Sequence, residues 1–193
     1  MLQLDFMNEI VSPQSAQELL ELARTTLKSA WQKQIQKPLI VRSAELRQKK
    51  GGVFVTLKLK GKLRGCIGCL NSPHNLAQTT IEKTWAAAFA DPRFPPLRAE
   101  ELINQPLEIE ISLLSSLTPL PSLEQWHLGE EGIYLRQGNK SAVFLPQVAQ
   151  ETGWSKEEFL SQLALKAGLP PQAWRERTTE LQTFRVQSIS GLL

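Results

Sequence analysis

The chain has 193 residues, 41% of them hydrophobic and 21% charged, with a formal net charge of +3. That length holds one domain or two intimately packed subdomains, and the apolar share supports a real core. The small basic excess gives no support to nucleic-acid binding, two cysteines exclude a disulfide framework, and no apolar run approaches the roughly 20 residues of a membrane span.

The start, Met1 to Ile10, contains Asp5 and Glu9 and no basic residue followed by an apolar run, so it does not read as a signal peptide. A soluble, cytosolic protein is expected. Ser12-Pro13 opens a helix: Ser suits the cap and Pro the first helical position. Ala16, Leu19, Leu20, Ala23, Leu27, Ala30 and Trp31 follow at helical spacing and predict a helix that covers one face of a sheet. Gln32 to Lys50 is polar and reads as a connecting loop. The basic residues Arg47, Lys49, Lys50, Lys58, Lys60 and Lys62 cluster here and in the next strand, and a solvated strand face explains most of them.

Gly51-Gly52 precedes Val53 to Lys60, a β-branched and partly alternating run that predicts a strand. Gly61-Lys62 turns it, and Leu63 to Leu70 returns as the second arm of a hairpin. Asn71-Ser72-Pro73 repeats the cap-then-proline signal before a helix over Asn75 to Ala90, with Leu76, Ile81, Trp85, Ala88 and Phe89 as its expected inner stripe. Asp91-Pro92-Arg93-Phe94-Pro95-Pro96-Leu97 stops that helix, and its prolines stiffen an extended loop that carries one acid and one base. A short helix is expected at Ala99 to Ile103 and a half-exposed strand at Leu107 to Leu113. Pro119 and Pro121 mark a subdomain crossing. Gly132 to Arg136 and Ser141 to Leu145 form a second hairpin; Pro146 to Thr152 and Ser155 to Ala167 read as helices, the latter opened by a Ser155/Glu158 capping box and closed by Gly168. Leu181 to Ser188 reads as one final strand. Helices and mostly antiparallel strands mix without regular alternation, which is the α+β class.

The residues that point to chemistry are Leu63-Arg64-Gly65-Cys66-Ile67-Gly68. They put a cation, a thiol and two glycines on one short, otherwise apolar strand. Arg64 offers a planar fork to an anion. Gly65 and Gly68 let backbone or ligand come close. By strand alternation Cys66 shares a face with Arg64, and a neighbouring guanidinium favours the thiolate. Cysteine is also among the most buried residue types, so spacing alone leaves open whether Cys66 is reactive or packed. Cys66 and Cys69 spell a C-x-x-C, but residues three apart in a strand face opposite ways with Cα atoms roughly 10 Å apart, beyond disulfide reach. No second ligand pair accompanies them, since His74 and His127 stand alone, so neither a metal nor a cofactor is predicted. No Gly-rich phosphate loop or nucleophile elbow is present.

The chain resembles the AMMECR family, called AmmeMemoRadiSam system protein A in prokaryotes. The resemblance rests on Leu63 to Gly68, the family's signature, and on Gly52 to Leu57 and Ala87 to Leu97 around it. It continues through Glu108 to Ser112, Phe144 to Ala149, Gly153-Trp154, Glu158 to Leu160 and Lys166 to Leu169, in the family's order. It implies a cytosolic α+β protein of two subdomains with the signature facing a groove between them. On this chain the larger subdomain is expected over residues 1–116 with 178–193 and the smaller over 117–177. The family's prokaryotic name implies a pathway shared with radical SAM and Memo-type proteins. The function expected is an enzyme or enzyme subunit, with Cys66 as nucleophile or proton donor, Arg64, Gly65 and Gly68 at an anionic substrate, Asp91 and Arg93 at the rim, and Gln147 and Lys166 as polar contacts from the smaller subdomain. The alternative is a non-catalytic binding module for a protein partner or RNA. Three departures from the family stand out: Cys69 replaces a small hydroxyl residue, Glu130-Glu131-Gly132 lacks the histidine that often precedes the glycine, and Ala164 stands where many members carry cysteine.

Overall fold

Antiparallel strands and helices do mix irregularly, as the α+β expectation requires. In the computed structural model the described residues are 3–4, 9–32, 39–102 and 105–193. In chain order they form β1 (Gln3–Leu4), α1 (Pro13–Gln32), α2 (Ala44–Gln48), β2 (Gly52–Leu59), β3 (Lys62–Cys69), α3 (Leu76–Phe89), β4 (Leu107–Leu114) and β5 (Thr118–Pro119). Then come β6 (Gly132–Gln137), β7 (Lys140–Phe144), α4 (Pro146–Thr152), α5 (Lys156–Lys166), β8 (Glu180–Phe184) and β9 (Val186–Leu192). One sheet has the order β1-β9-β4-β2-β3 and the other β5-β8-β6-β7. The chain divides into two units, residues 1–114 with 187–193 and residues 115–186.

The first unit is built on the β2–β3 hairpin. Lys60 and Gly61 have φ of 53° and 71°, the positive pair that a two-residue type I′ turn demands and that fits the twist of its strands. Val53, Val55 and Leu57 of β2 and Leu107, Ile109, Ile111 and Leu113 of β4 are fully buried and form the inner face of the sheet. Ala16, Leu19, Leu20, Ala23 and Leu27 of α1 join them in one cluster, which is the apolar stripe that the helical spacing predicts. The last strand closes this unit: buried Gln187 accepts from the backbone N–H groups of Ile10 and Val11, both at 2.8 Å. The region read as a loop before β2 holds the short helix α2, whose N-cap Ser43 accepts from Leu46 N; residues 33–38 lie outside the described ones.

Helix α3 shows where periodicity misleads. Its cap is Asn75, which accepts from Gln78 N, and Ser72 in the preceding turn accepts from Thr79 Oγ1. The buried stripe is Leu76, Ala77, Thr79, Thr80, Thr84, Ala87 and Ala88. Trp85, expected inside, is 47% exposed. The reason is close approach: a Cβ on Gly65 of β3 would lie 2.0 Å from the Ala87 carbonyl oxygen. A helix lying that near a strand buries its small residues and turns its tryptophan outward.

The second unit is a β6–β7 hairpin with β8 beside it and α5 in its core. Trp126, Phe159, Leu160 and Leu163 are buried among Ile133 and Leu135, and Phe144 lies edge-on to Phe159 at 4.9 Å. The capping box of Ser155 and Glu158 forms in both directions, and Gly168 ends the helix region at φ 73°. The single strand expected over Leu181 to Ser188 is two strands, β8 and β9, in different sheets. They part at Arg185, whose backbone binds Ser115 in both directions, at 3.0 and 2.9 Å. Residues 178–186, expected in the larger subdomain, therefore belong to the second unit.

Candidate functional site

The residues singled out by the signature gather along the free edge of β3. Among the described residues that strand ends the five-stranded sheet and pairs with β2 alone. Thr56 stands opposite Cys66, Val55 opposite Ile67 and Leu57 opposite Gly65. The N–H and C=O of Cys66 point away from β2, because both are taken from the other side. Asp91 Oδ2 accepts from Cys66 N at 2.8 Å, and Arg93 Nη2 donates to Cys66 O at 2.9 Å. Cys66 and Thr56 thus form the close, non-hydrogen-bonded kind of cross-strand pair. The Thr56 hydroxyl donates to Cys66 Sγ at 3.3 Å.

Asp91 and Arg93 supply to the edge what a neighbouring strand would supply with backbone. Asp91 also accepts from its partner's backbone N at 3.1 Å, Nε at 3.0 Å and Nη2 at 2.7 Å. Its side chain is 2% exposed, whereas that of Arg93 is 54% exposed. The Arg93 guanidinium, with the Cys66 and Arg93 N–H groups, holds the Asp91 carboxyl well below the usual carboxylate range, against the effect of burial.

A second pair lies further along the same edge. Leu57 pairs with Gly65 and Lys58 with Leu63, so Arg64 is the extra residue of a β-bulge. Strand alternation does not govern its side chain. The guanidinium runs to the loop: Nε and Nη2 donate to the two Glu101 carboxylate oxygens, both at 2.9 Å, and Nη2 also donates to Pro95 O at 3.0 Å. Here the polarity of burial is reversed, with Arg64 11% exposed and Glu101 32%. The Arg64 fork lowers the Glu101 pKa. Its remaining nitrogen, Nη1, is buried and has no hydrogen-bond partner among the described residues. The Cζ atoms of Arg64 and Arg93 lie 6.0 and 5.5 Å from the centre of the Phe94 ring, within cation–π range.

The structure gives the two glycines definite neighbours. Gly65 receives the Ala87 backbone, and a Cβ on Gly68 would lie 2.2 Å from the Phe54 ring. Both close approaches are made by the fold itself. Cys69 pairs with Val53 at the end of β3, and both cysteines are free thiols. Gln147 in α4 and Lys166 in α5 belong to the second unit, where Lys166 Nζ donates to Val143 O at 3.0 Å and lies 4.7 Å from the centre of the Phe144 ring. His74 and His127 are surface residues beside Glu82 and Glu131. Among the described residues no group of three or more His, Cys, Asp or Glu is placed to hold a metal.

Sequence reasoning missed Thr56, Phe94 and Glu101. Thr56 reads as an ordinary β-branched strand residue, and only the register to β3 puts its hydroxyl on the thiol. Glu101 lies in a short 3-10 turn, Ala99–Leu102, with nothing local to mark it as the partner of a residue 37 positions earlier. A signal existed for Asp91 and Arg93, an acid and a base two apart in a proline-stiffened loop.

The fold and this edge define an α+β protein of two sheet-containing units, one of which presents a thiol on a clamped border strand. The chain belongs to the AMMECR1 family, whose model matches residues 20–189. A protein of Methanopyrus kandleri is 38% identical over 94% of this chain and 90% of its own length. One of Methanothermobacter thermautotrophicus is 42% identical over 73% and 75%. The crystal structure of an uncharacterized protein from Pyrococcus horikoshii matches with a TM-score of 0.83 and 32% identity over 93% of each chain. No helix among the described residues is long and apolar enough to cross a membrane.

Proposed function

We propose that this chain is a cytosolic enzyme, or a subunit of one, that acts through Cys66 in a pathway shared with radical SAM and Memo-type proteins. Cys66 serves as nucleophile or proton donor, and Arg64 and Arg93 meet an anionic group of the substrate. The observation that carries this reading is the clamp on Cys66. A buried carboxylate and a guanidinium fix both backbone groups of one residue at the border of a sheet, and that residue bears a thiol. Such fixing is the preorganisation a reacting atom needs. The Nη1 of Arg64, buried and without an acceptor among the described residues, supports an anionic ligand, because a buried N–H left unpaired is costly. The pathway partners follow from the association recorded in the family's prokaryotic name.

The basic run that would favour RNA is partly consumed inside the fold. Arg47 donates to the carbonyls of Val41 and Arg42, Lys49 to that of Ile10, and Lys58 pairs with Glu110. Metabolite profiles of a strain lacking this gene, complemented by wild type or by Cys66→Ser, test the reading. The serine variant, folded as wild type by thermal unfolding, is expected to leave the profile of the deletion strain. Full restoration by it overturns a chemical role for the thiol. Affinity capture from native cells is expected to retain the radical SAM and Memo-type proteins; capture of RNA alone, lost steeply with salt, favours the binding-module alternative.

A further inference from the structure

We infer that Thr56 is the positioning residue of the Cys66 thiol, holding the sulfur in one orientation through the hydroxyl it donates across the strand pair. The inference rests on the reading of Cys66 as reactive and adds a residue that the signature does not contain. A threonine hydroxyl has a single proton to give, and here it goes to Sγ at 3.3 Å.

Three features make the contact a fixed one. Thr56 is β-branched, so its χ1 is stiff. β2 lies between β3 and β4 in the sheet, with Thr56 opposite Cys66 on one side and Glu110 on the other. Cys66 itself is pinned from beyond the edge by Asp91 and Arg93. Independently of these bonds, the adjacent edge holds the buried Nη1 of Arg64, for which the described residues supply no acceptor. Beside the thiol stand Arg93, which interacts with the Cys66 side chain as well as its backbone, and its partner Asp91; Lys58 pairs with Glu110, the residue opposite Thr56 on β4. All of them are unchanged when Thr56 is replaced, so a comparison of Thr56 variants isolates the hydroxyl.

The experiment is the rate of alkylation of Cys66 by iodoacetamide in the native protein, as a function of pH, in a Cys69→Ser background. The thiolate forms the S–C bond, the C–I bond breaks, and iodide leaves. Thr56→Val is expected to react about threefold more slowly than wild type across the pH range, because its sulfur is no longer held in one orientation. Thr56→Ser is expected to return the wild-type curve, and Thr56→Ala provides a second hydroxyl-free variant should valine disturb the strand. Superimposable curves for wild type and both hydroxyl-free variants overturn the inference while leaving the reactive thiol in place. A native Cys66 that does not react at any pH, but reacts after unfolding, removes the reactive-thiol reading and this inference with it.

Discussion

Two arginine–carboxylate pairs fasten the 91–101 loop to the border of the sheet, and they are built in opposite senses. In the Asp91–Arg93 pair the acid is buried and the base is exposed. In the Arg64–Glu101 pair the base is nearly buried and the acid is partly exposed. The first pair spends its bonds on the backbone of Cys66, and its buried member is satisfied several times over. The second leaves one buried guanidinium nitrogen without a partner among the described residues. The first is thus a finished structural clamp, and the second retains unused binding capacity. The difference also sets how each pair fails. A stranded carboxylate can escape by taking up a proton, whereas a stranded guanidinium cannot discharge.

The largest effect follows from removing the exposed member of the finished clamp. Arg93→Ala takes the guanidinium from buried Asp91, leaving it the backbone N–H groups of Cys66 and residue 93, and is expected to cost about 3 kcal/mol in urea unfolding at neutral pH. That deficit shrinks on acidification, as the stranded carboxyl becomes neutral; a deficit constant with pH would show that Arg93 acts by packing alone. The acid side of the wild-type profile should carry the mark of Asp91 itself. Its folded pKa is depressed, so the stability it contributes is fully present above the ordinary carboxylate value of about 4 and is lost as pH falls further below it. Asp91→Asn, lower in stability at pH 7 by about 2 kcal/mol, is expected to show a flatter decline on acidification. Parallel acid limbs would remove Asp91 from that account.

Glu101→Ala breaks the other pair, and solvent reaches part of it, so about 1 kcal/mol is expected. The distinguishing outcome lies in rescue. Added inorganic phosphate should raise the Tm of Glu101→Ala more than that of wild type, because the Arg64 fork then lacks its internal carboxylate. The deficit of Glu101→Ala also shrinks on acidification, since the wild-type pair is itself lost as Glu101 takes up a proton, so phosphate rather than pH separates the two variants. Equal phosphate effects on the two proteins would contradict the view that the Arg64 fork can hold an anion.

Much of this was legible in the chain. The two hairpins, the capping box and the stiff loop after α3 all rest on local rules, and local rules were obeyed. The errors fall where tertiary contact overrides period. Trp85 sits on the helical stripe, yet the Gly65–Ala87 approach leaves room only for small residues on that side. Arg64 sits two residues from Cys66, yet a bulge frees it from strand alternation and sends it to Glu101. Residues 181–188 carry one strand-like pattern, yet Arg185 divides it between two sheets. Thr56 was invisible for a similar reason: its significance lies in register, and register belongs to the hairpin rather than to the residue.

The central claim is that the clamped border strand makes Cys66 the reactive thiol of this chain. Cys69, three residues along the same strand and without that clamp, is the internal control. The direct measurement is iodoacetamide labelling of the native wild-type protein at neutral pH, with each cysteine followed by peptide mass spectrometry. Cys66 is expected to be modified faster than Cys69, with its lead reduced in Arg93→Ala. Labelling confined to Cys69, with Cys66 protected until the protein unfolds, would contradict the claim and leave Cys66 a packing residue.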